Sequence, residues 1–203
     1  SFTYRVIVTQ DAGCLVQSTD QIIVVAPDPS IVLAAGSGSI CFGGTTTLTA
    51  TVTGGVGCTN VWQAFPPSGT WTTVQTGGTT YNLPTNLVLG THQYRVLIQT
   101  CTGSGCGSAT SNTQNIVVAN DPTISITGDA RNVCVGGSIN MDATVGGGVG
   151  CDVVWQFRVG TSGTWSEVAS NVNSYTTSTA LTAGTYQYRA LYTTCDAGLG
   201  CDD

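Results

Sequence analysis

Apolar and polar residues alternate along this chain in short runs, and no stretch repeats its apolar positions at a helical period. In Thr47-Leu48-Thr49-Ala50-Thr51-Val52 the even positions are apolar, so a strand there buries one face and turns its threonines to water. Between residues 27 and 119 the alternation predicts strands at Ile31–Ala35, Thr46–Thr53, Asn60–Phe65, Thr70–Gln75, Thr79–Leu83, His92–Thr100 and Thr113–Val118. The gaps hold Gly54-Gly55, Pro66-Pro67-Ser68-Gly69, Gly77-Gly78 and Gly103-Ser104-Gly105, all of them turn chemistry. About seven short strands with close punctuation predict an all-β sandwich.

The pattern then recurs. Cys41, Cys58 and Trp62 reappear 93 residues on as Cys134, Cys151 and Trp155. Trp71, Tyr81, Tyr94, Arg95 and Cys101 reappear 94 residues on as Trp165, Tyr175, Tyr188, Arg189 and Cys195, and Cys106 reappears 95 residues on as Cys201. Near the start, Tyr4-Arg5 corresponds to Tyr94-Arg95 and Cys14 to Cys106. So long a period makes each repeat a small domain, and the chain reads as a window on an array. Residues 1–26 are expected to be the last strands of a preceding repeat, 27–119 a complete repeat, and 120–203 a repeat short of its last strand. Both ends are expected to be internal to a longer polypeptide.

Trp62 lies on the third strand, where an immunoglobulin-like sandwich keeps its buried tryptophan. Tyr94 is expected beside it, with Val96 and Ile98 on the same face; Trp155 and Tyr188 are their counterparts. Leu181-Thr182-Ala183-Gly184-Thr185-Tyr186-Gln187-Tyr188 resembles the entry to strand F of that fold, with Tyr186 as a tyrosine corner. Tyr188 then stands where an antibody domain places its second cysteine, so the antibody inter-sheet disulfide is absent. His92 aligns with Tyr186 and Phe2 and reads as a packing residue rather than a catalytic one. The junctions Ala26-Pro27-Asp28-Pro29 and Ala119-Asn120-Asp121-Pro122 are short and stiff, which predicts a rod.

Composition narrows the chemistry. Only 8% of residues are charged, the net charge is −6, and all five basic residues are arginine. A phosphate or nucleic-acid surface is not expected, and without lysine no Lys–Asn or Lys–Asp isopeptide crosslink can form. With one histidine and one glutamate (Glu167), convergent titratable groups are scarce, and the chain is read as no enzyme, with no cofactor and no metal. Asp11, Asp196, Asp202 and Asp203 lie near the hairpins after strand F, and Asp28 and Asp121 recur at the junctions. Calcium is one reading of these aspartates; an Asp-Pro turn is the preferred reading of the junction pair. Trp71 and Trp165 each follow Ser-Gly-Thr and are candidates for stacking on sugars, weighed against packing at a sheet edge. Arg95 and Arg189 point outward toward a neighbouring strand. No apolar run is long enough to cross a membrane.

Nine cysteines without a CxxC pair favour disulfides in an oxidising compartment over zinc or reactive thiols. Cys58–Cys101 and Cys151–Cys195 are the first choice, because Cys58 follows Thr46–Thr53 (strand B) and Cys101 ends His92–Thr100 (strand F), and the loops after those strands share one end of a sandwich. That leaves Cys41 with Cys106 and Cys134 with Cys201, and Cys14 unpaired in this window. Cys41 and Cys106 would stand at opposite ends of a strict immunoglobulin topology, so either the topology is altered there or Cys58 pairs with Cys106.

Cys41-Phe42-Gly43-Gly44-Thr45, Trp62-Gln63, Thr91-His92-Gln93-Tyr94-Arg95 and Gly105-Cys106 together resemble the tandem immunoglobulin-like repeats of giant surface proteins in Bacteroidota. The second copy matches through Cys134-Val135-Gly136-Gly137-Ser138 and Ala183-Gly184-Thr185-Tyr186-Gln187-Tyr188-Arg189. Such repeats occur in gliding-motility adhesins of the SprB kind, exported by the type 9 secretion system. The resemblance implies an extracellular, cell-anchored stalk or filament serving attachment or gliding, with neighbouring repeats as partners and surface glycans or other surface proteins as possible ligands. A carbohydrate-binding module array and a self-assembling extracellular fibre are the alternatives.

Overall fold

The structure is a computed structural model that describes residues 1–203 except 10, 12, 14, 102–104, 129–131, 194, 196–198 and 202–203. The described residues are strands and turns without an α-helix. Within the first full repeat, one sheet runs Thr80–Asn82, Thr47–Thr53, Ser30–Ala35. The other runs Ser39–Cys41, Gln114–Ala119, Gly90–Cys101, Cys58–Phe65, Thr72–Thr76, with Ala109–Thr110 paired to the far end of Gly90–Cys101. The two faces close over Leu33, Leu48, Ala50, Trp62, Tyr94, Val96, Ile98 and Ile116. The strand Thr47–Thr53 alternates as its sequence demands: Leu48 and Ala50 are buried, and Thr47, Thr49 and Thr51 are exposed. The strand order of the two sheets is that of an immunoglobulin-like β-sandwich.

Two short strands join the seven legible in the sequence. Ser39–Cys41 sits between glycines and offers no alternating run, yet it pairs parallel to the last strand, with Cys41 opposite Ala119. That pairing carries Cys41 to the end of the sandwich from which the chain leaves for the next repeat.

The second repeat has the sheets Thr123–Gly128, Asn140–Gly146, Ser174–Thr176 and Ser166–Ser170, Asp152–Val159, Tyr186–Thr193. Its core is smaller, with Ala143, Val153, Trp155 and Ala190 buried around the fully buried tryptophan. No described strand lies where Gln114–Ala119 lies in the first repeat, so Tyr188 is half-buried whereas Tyr94 is fully buried. At the start of the chain, Phe2–Tyr4 pairs with Gln21–Ile23. Phe2 faces Ile23 and Tyr4 faces Gln21, just as His92 faces Ile116 and Tyr94 faces Gln114. The first segment therefore repeats the pairing register of the last two strands of a repeat.

Candidate functional site: the junction between repeats

The chemistry of this chain gathers at the ends of the sandwiches. Cys58 and Cys101 stand directly opposite each other on adjacent strands of one sheet and are bonded, with Cα atoms 3.9 Å apart. Cys151 and Cys195 are bonded in the same place, 4.0 Å apart. These disulfides lock neighbouring strands within a sheet, unlike the inter-sheet bond of antibodies. On the other side of each of these ends, the junction is held to the loop before the bonded strand. The Gly55 amide donates to the Pro27 carbonyl, and the Gly148 amide to that of Asn120. Gly54 and Gly147 take positive φ, and a Cβ on either would strike the junction backbone. Asp28 accepts a hydrogen bond from the Gly107 amide, fastening the hairpin after strand F to the linker. Asp196, Asp202 and Asp203 lie outside the described residues.

Cys41 does not pair with Cys106. It is bonded to Cys201 in the second repeat, 160 residues on, with Cα atoms 5.0 Å apart. The reason is topological. Cys41 lies beside Ala119 where the first repeat ends, whereas Cys106 lies beside Gly107, whose amide is held by Asp28 where that repeat begins. The hairpin carrying Cys201 occupies the matching end of the second repeat, so it faces Cys41 across the junction. Cys41, Cys195 and Cys201 form one buried cluster, with Val149 and Cys151 packed on it, and Leu199 packs against the core of the first repeat. Gly44 and Gly200 meet backbone to backbone: a Cβ on Gly44 would fall on the Leu199 carbonyl, and one on Gly200 on the Gly44 backbone. Cys134 is an exposed thiol outside any disulfide, so its expected pairing with Cys201 is also replaced. Cys14 lies outside the described residues.

The core aromatics meet as the pattern requires. Trp62, Tyr81 and Tyr94 form a chain of tilted rings at 5.9 and 6.1 Å; Trp155, Tyr175 and Tyr188 form the matching chain at 5.9 and 5.9 Å, with Trp155 and Tyr175 stacked and Tyr175 and Tyr188 tilted. Burial pushes the Tyr94, Tyr81 and Tyr188 phenols up from their ordinary value; neighbouring Tyr81 adds to the effect on Tyr94, and Tyr175 and Tyr186 to that on Tyr188. Trp155 donates through Nε1 to the Val172 carbonyl at 2.9 Å. The tyrosine corner is present: the Tyr186 hydroxyl donates to the Thr182 carbonyl at 3.2 Å. His92 makes the same bond from the same place, donating from Nε2 to the Val88 carbonyl at 2.8 Å. Its alignment with Tyr186 was the signal for that role.

Trp71 and Trp165 are half-buried, and a face of each ring is covered. The Arg95 guanidinium lies 4.1 Å from the Trp71 ring centre, and Phe65 packs against that ring at 5.6 Å. The Arg158 and Arg189 guanidiniums lie 4.6 and 4.3 Å from the Trp165 ring. Each arginine is steadied by a glutamine directly across the sheet: Arg95 to Gln63, Arg189 to Gln156 and Arg158 to Gln187. The sequence showed these arginines and tryptophans recurring together but not that they stack. Asn112, which donates to and accepts from the Leu33 backbone and so ties the two sheets together, left no signal in the repeat.

No protein-family model and no curated protein matches the chain. Among solved structures it is similar to the fibronectin(III)-like modules of Clostridium thermocellum CbhA, at 15% identity and TM-score 0.39, covering 81% of this chain and 86% of that one. It is also similar to the N-terminal eight immunoglobulin domains of Down Syndrome Cell Adhesion Molecule, at 12% identity and TM-score 0.39, covering 94% of this chain and 30% of that one. Murine CEACAM1b aligns at 13% identity and TM-score 0.36, over 79% of this chain and 92% of that one.

Proposed function

We propose that this chain is a structural spacer, a stalk segment of a long extracellular cell-surface adhesin that serves surface attachment or gliding. The carrying observation is the Cys41–Cys201 bond, which fastens one repeat to the next. A module that only binds a ligand has no need of a covalent bridge to its neighbour; a chain that transmits tension does. The short junctions hydrogen-bonded to the following sandwich support the same reading. Three disulfides fit an oxidising, extracellular compartment. The repeat resemblance is what suggests attachment or gliding, and the role needs no catalysis.

The test is the size and shape of the native protein by denaturing gel and negative-stain microscopy. A very long chain seen as a beaded rod, with a bead every ~30–40 Å from strand length, is the expected result. A protein of only a few such domains would overturn the stalk. The carbohydrate-binding alternative is weakened by the guanidiniums that cover Trp71 and Trp165. Glycan-array binding that disappears on Trp71→Ala and Trp165→Ala would restore it.

A further inference from the structure

Cys41 and Cys134 are the same position in successive repeats, yet one is sealed in a disulfide and the other is an exposed thiol. Their loops have one conformation. Gly43 and Gly136 take φ of 86° and 87°, and the amides of Gly44 and Gly137 donate to the carbonyls of Cys41 and Cys134 at 3.0 and 2.9 Å. The Cys134 loop is therefore already shaped as a bonded Cys41 loop is shaped.

The surroundings of the two cysteines differ in two respects: Cys41 lies beside Ala119 of the last strand, for which the second repeat has no described counterpart, and Cys41 is bonded to Cys201. At Cys41 the Leu199-Gly200-Cys201 segment closes on the loop, and Leu199, like Leu87, packs against the first repeat's core. Around Cys134 lies an open cleft of about 410 Å³, lined by Val133, Val135, Gly137, Leu181, Gly184 and Tyr186, the last two on the strand edge that the first repeat pairs with Gln114–Ala119. Leu181 is the counterpart of Leu87, and Val133 and Val135 are exposed apolar groups on its rim. The chemistry that fills such a cleft is already present on this chain. A small or apolar residue, then glycine, then cysteine recurs as Ala12-Gly13-Cys14, Ser104-Gly105-Cys106 and Leu199-Gly200-Cys201, and the three glycines share positive φ of 77°, 68° and 79°.

We infer that Cys134 is the docking cysteine for the Gly-Cys hairpin of a following repeat, so that every junction of the array carries the bond seen between Cys41 and Cys201. The two thiols join as one disulfide; their two protons and two electrons pass to the disulfide of a thiol–disulfide oxidoreductase, which leaves as a dithiol. Gly137 would meet the incoming hairpin glycine as Gly44 meets Gly200, and an apolar residue before that glycine would enter the cleft. Each repeat then gives one cysteine forward and one back, and its two remaining cysteines lock its own sheet.

This inference rests on the tandem array proposed above. The test is disulfide mapping of the native full-length protein, isolated with thiols blocked by N-ethylmaleimide and digested without reduction. The expected product joins the Cys134 peptide to a Gly-Cys peptide of the repeat that follows. A Cys134 peptide carrying N-ethylmaleimide, or joined to any other cysteine, overturns the inference and leaves the stalk intact. A native chain in which no repeat follows residue 203 overturns the inference, and one of only a few domains overturns the stalk as well. In the Cys134→Ser variant of the same protein, one new blocked thiol is expected, on that Gly-Cys peptide; no new thiol overturns the inference.

Discussion

Burial places the core tyrosines where their ionisation is costly. The folded state raises the phenol of Tyr94, Tyr81 and Tyr188, while the unfolded chain ionises them near the ordinary value of about 10. A raised folded value means their contribution is fully present below about pH 10 and is lost as pH climbs above it. The expected outcome is a tyrosinate absorbance with a late-titrating fraction, and a melting temperature that falls as pH rises through that range. A flat melting temperature there would refute it. The arginine stack gives a second expectation. Arg95→Lys keeps the charge but loses the planar group that both stacks on Trp71 and donates through Nε to Gln63. The cost is about 1 kcal/mol, read as a lower urea midpoint for the first repeat. At this scale the sequence was informative wherever a residue recurred. Trp62, Tyr94 and Arg95 were visible through their copies, whereas Thr19 stands at the upstream counterpart of Asn112 and the repeat offers no other copy to compare within residues 1–203.

Strands with a clean alternation were legible to within one or two residues: Thr46–Thr53 was expected and Thr47–Thr53 is present. The strand Ser39–Cys41 was not legible, because a three-residue parallel pairing beside glycines carries no period. That small element matters more than its length suggests, since it carries Cys41 to the junction. The loop after it is equally exacting. Gly44→Ala places a methyl on the Leu199 carbonyl, so the hairpin cannot reach Cys41. Two new alkylatable thiols at Cys41 and Cys201 are expected, with the Cys58–Cys101 and Cys151–Cys195 bonds unchanged. Peptide mapping that still finds Cys41 joined to Cys201 would show the close approach to be dispensable.

For the whole molecule, the repeat told which cysteines are equivalent, and the topology said that Cys41 and Cys106 lie at opposite ends. What the sequence did not reveal is that equivalent cysteines need not close within their own copy. Cys201 is the copy of Cys106, so the repeat pattern alone fits a bond from Cys41 to either of them. The described disulfides give a direct expectation. Cys58–Cys101 lies wholly before the junction and Cys151–Cys195 wholly after it, so Cys41–Cys201 is the bond that crosses it. A protease site inserted between Ala119 and Pro122, once cut, is expected to give one band on a gel without reductant and two bands with it. Two bands in both lanes would mean the crossing bond is absent in solution.

Every peptide bond between Cys41 and Cys201 is thereby bypassed by a second covalent route. Backbone scission anywhere in that span leaves the two pieces attached, and so does reduction of the bridge alone. Separation takes both injuries in the same span. When two independent rare events must coincide, the chance of failure grows with the product of their frequencies, so modest exposure to proteases or to reductants, taken singly, costs this stretch of chain almost none of its continuity.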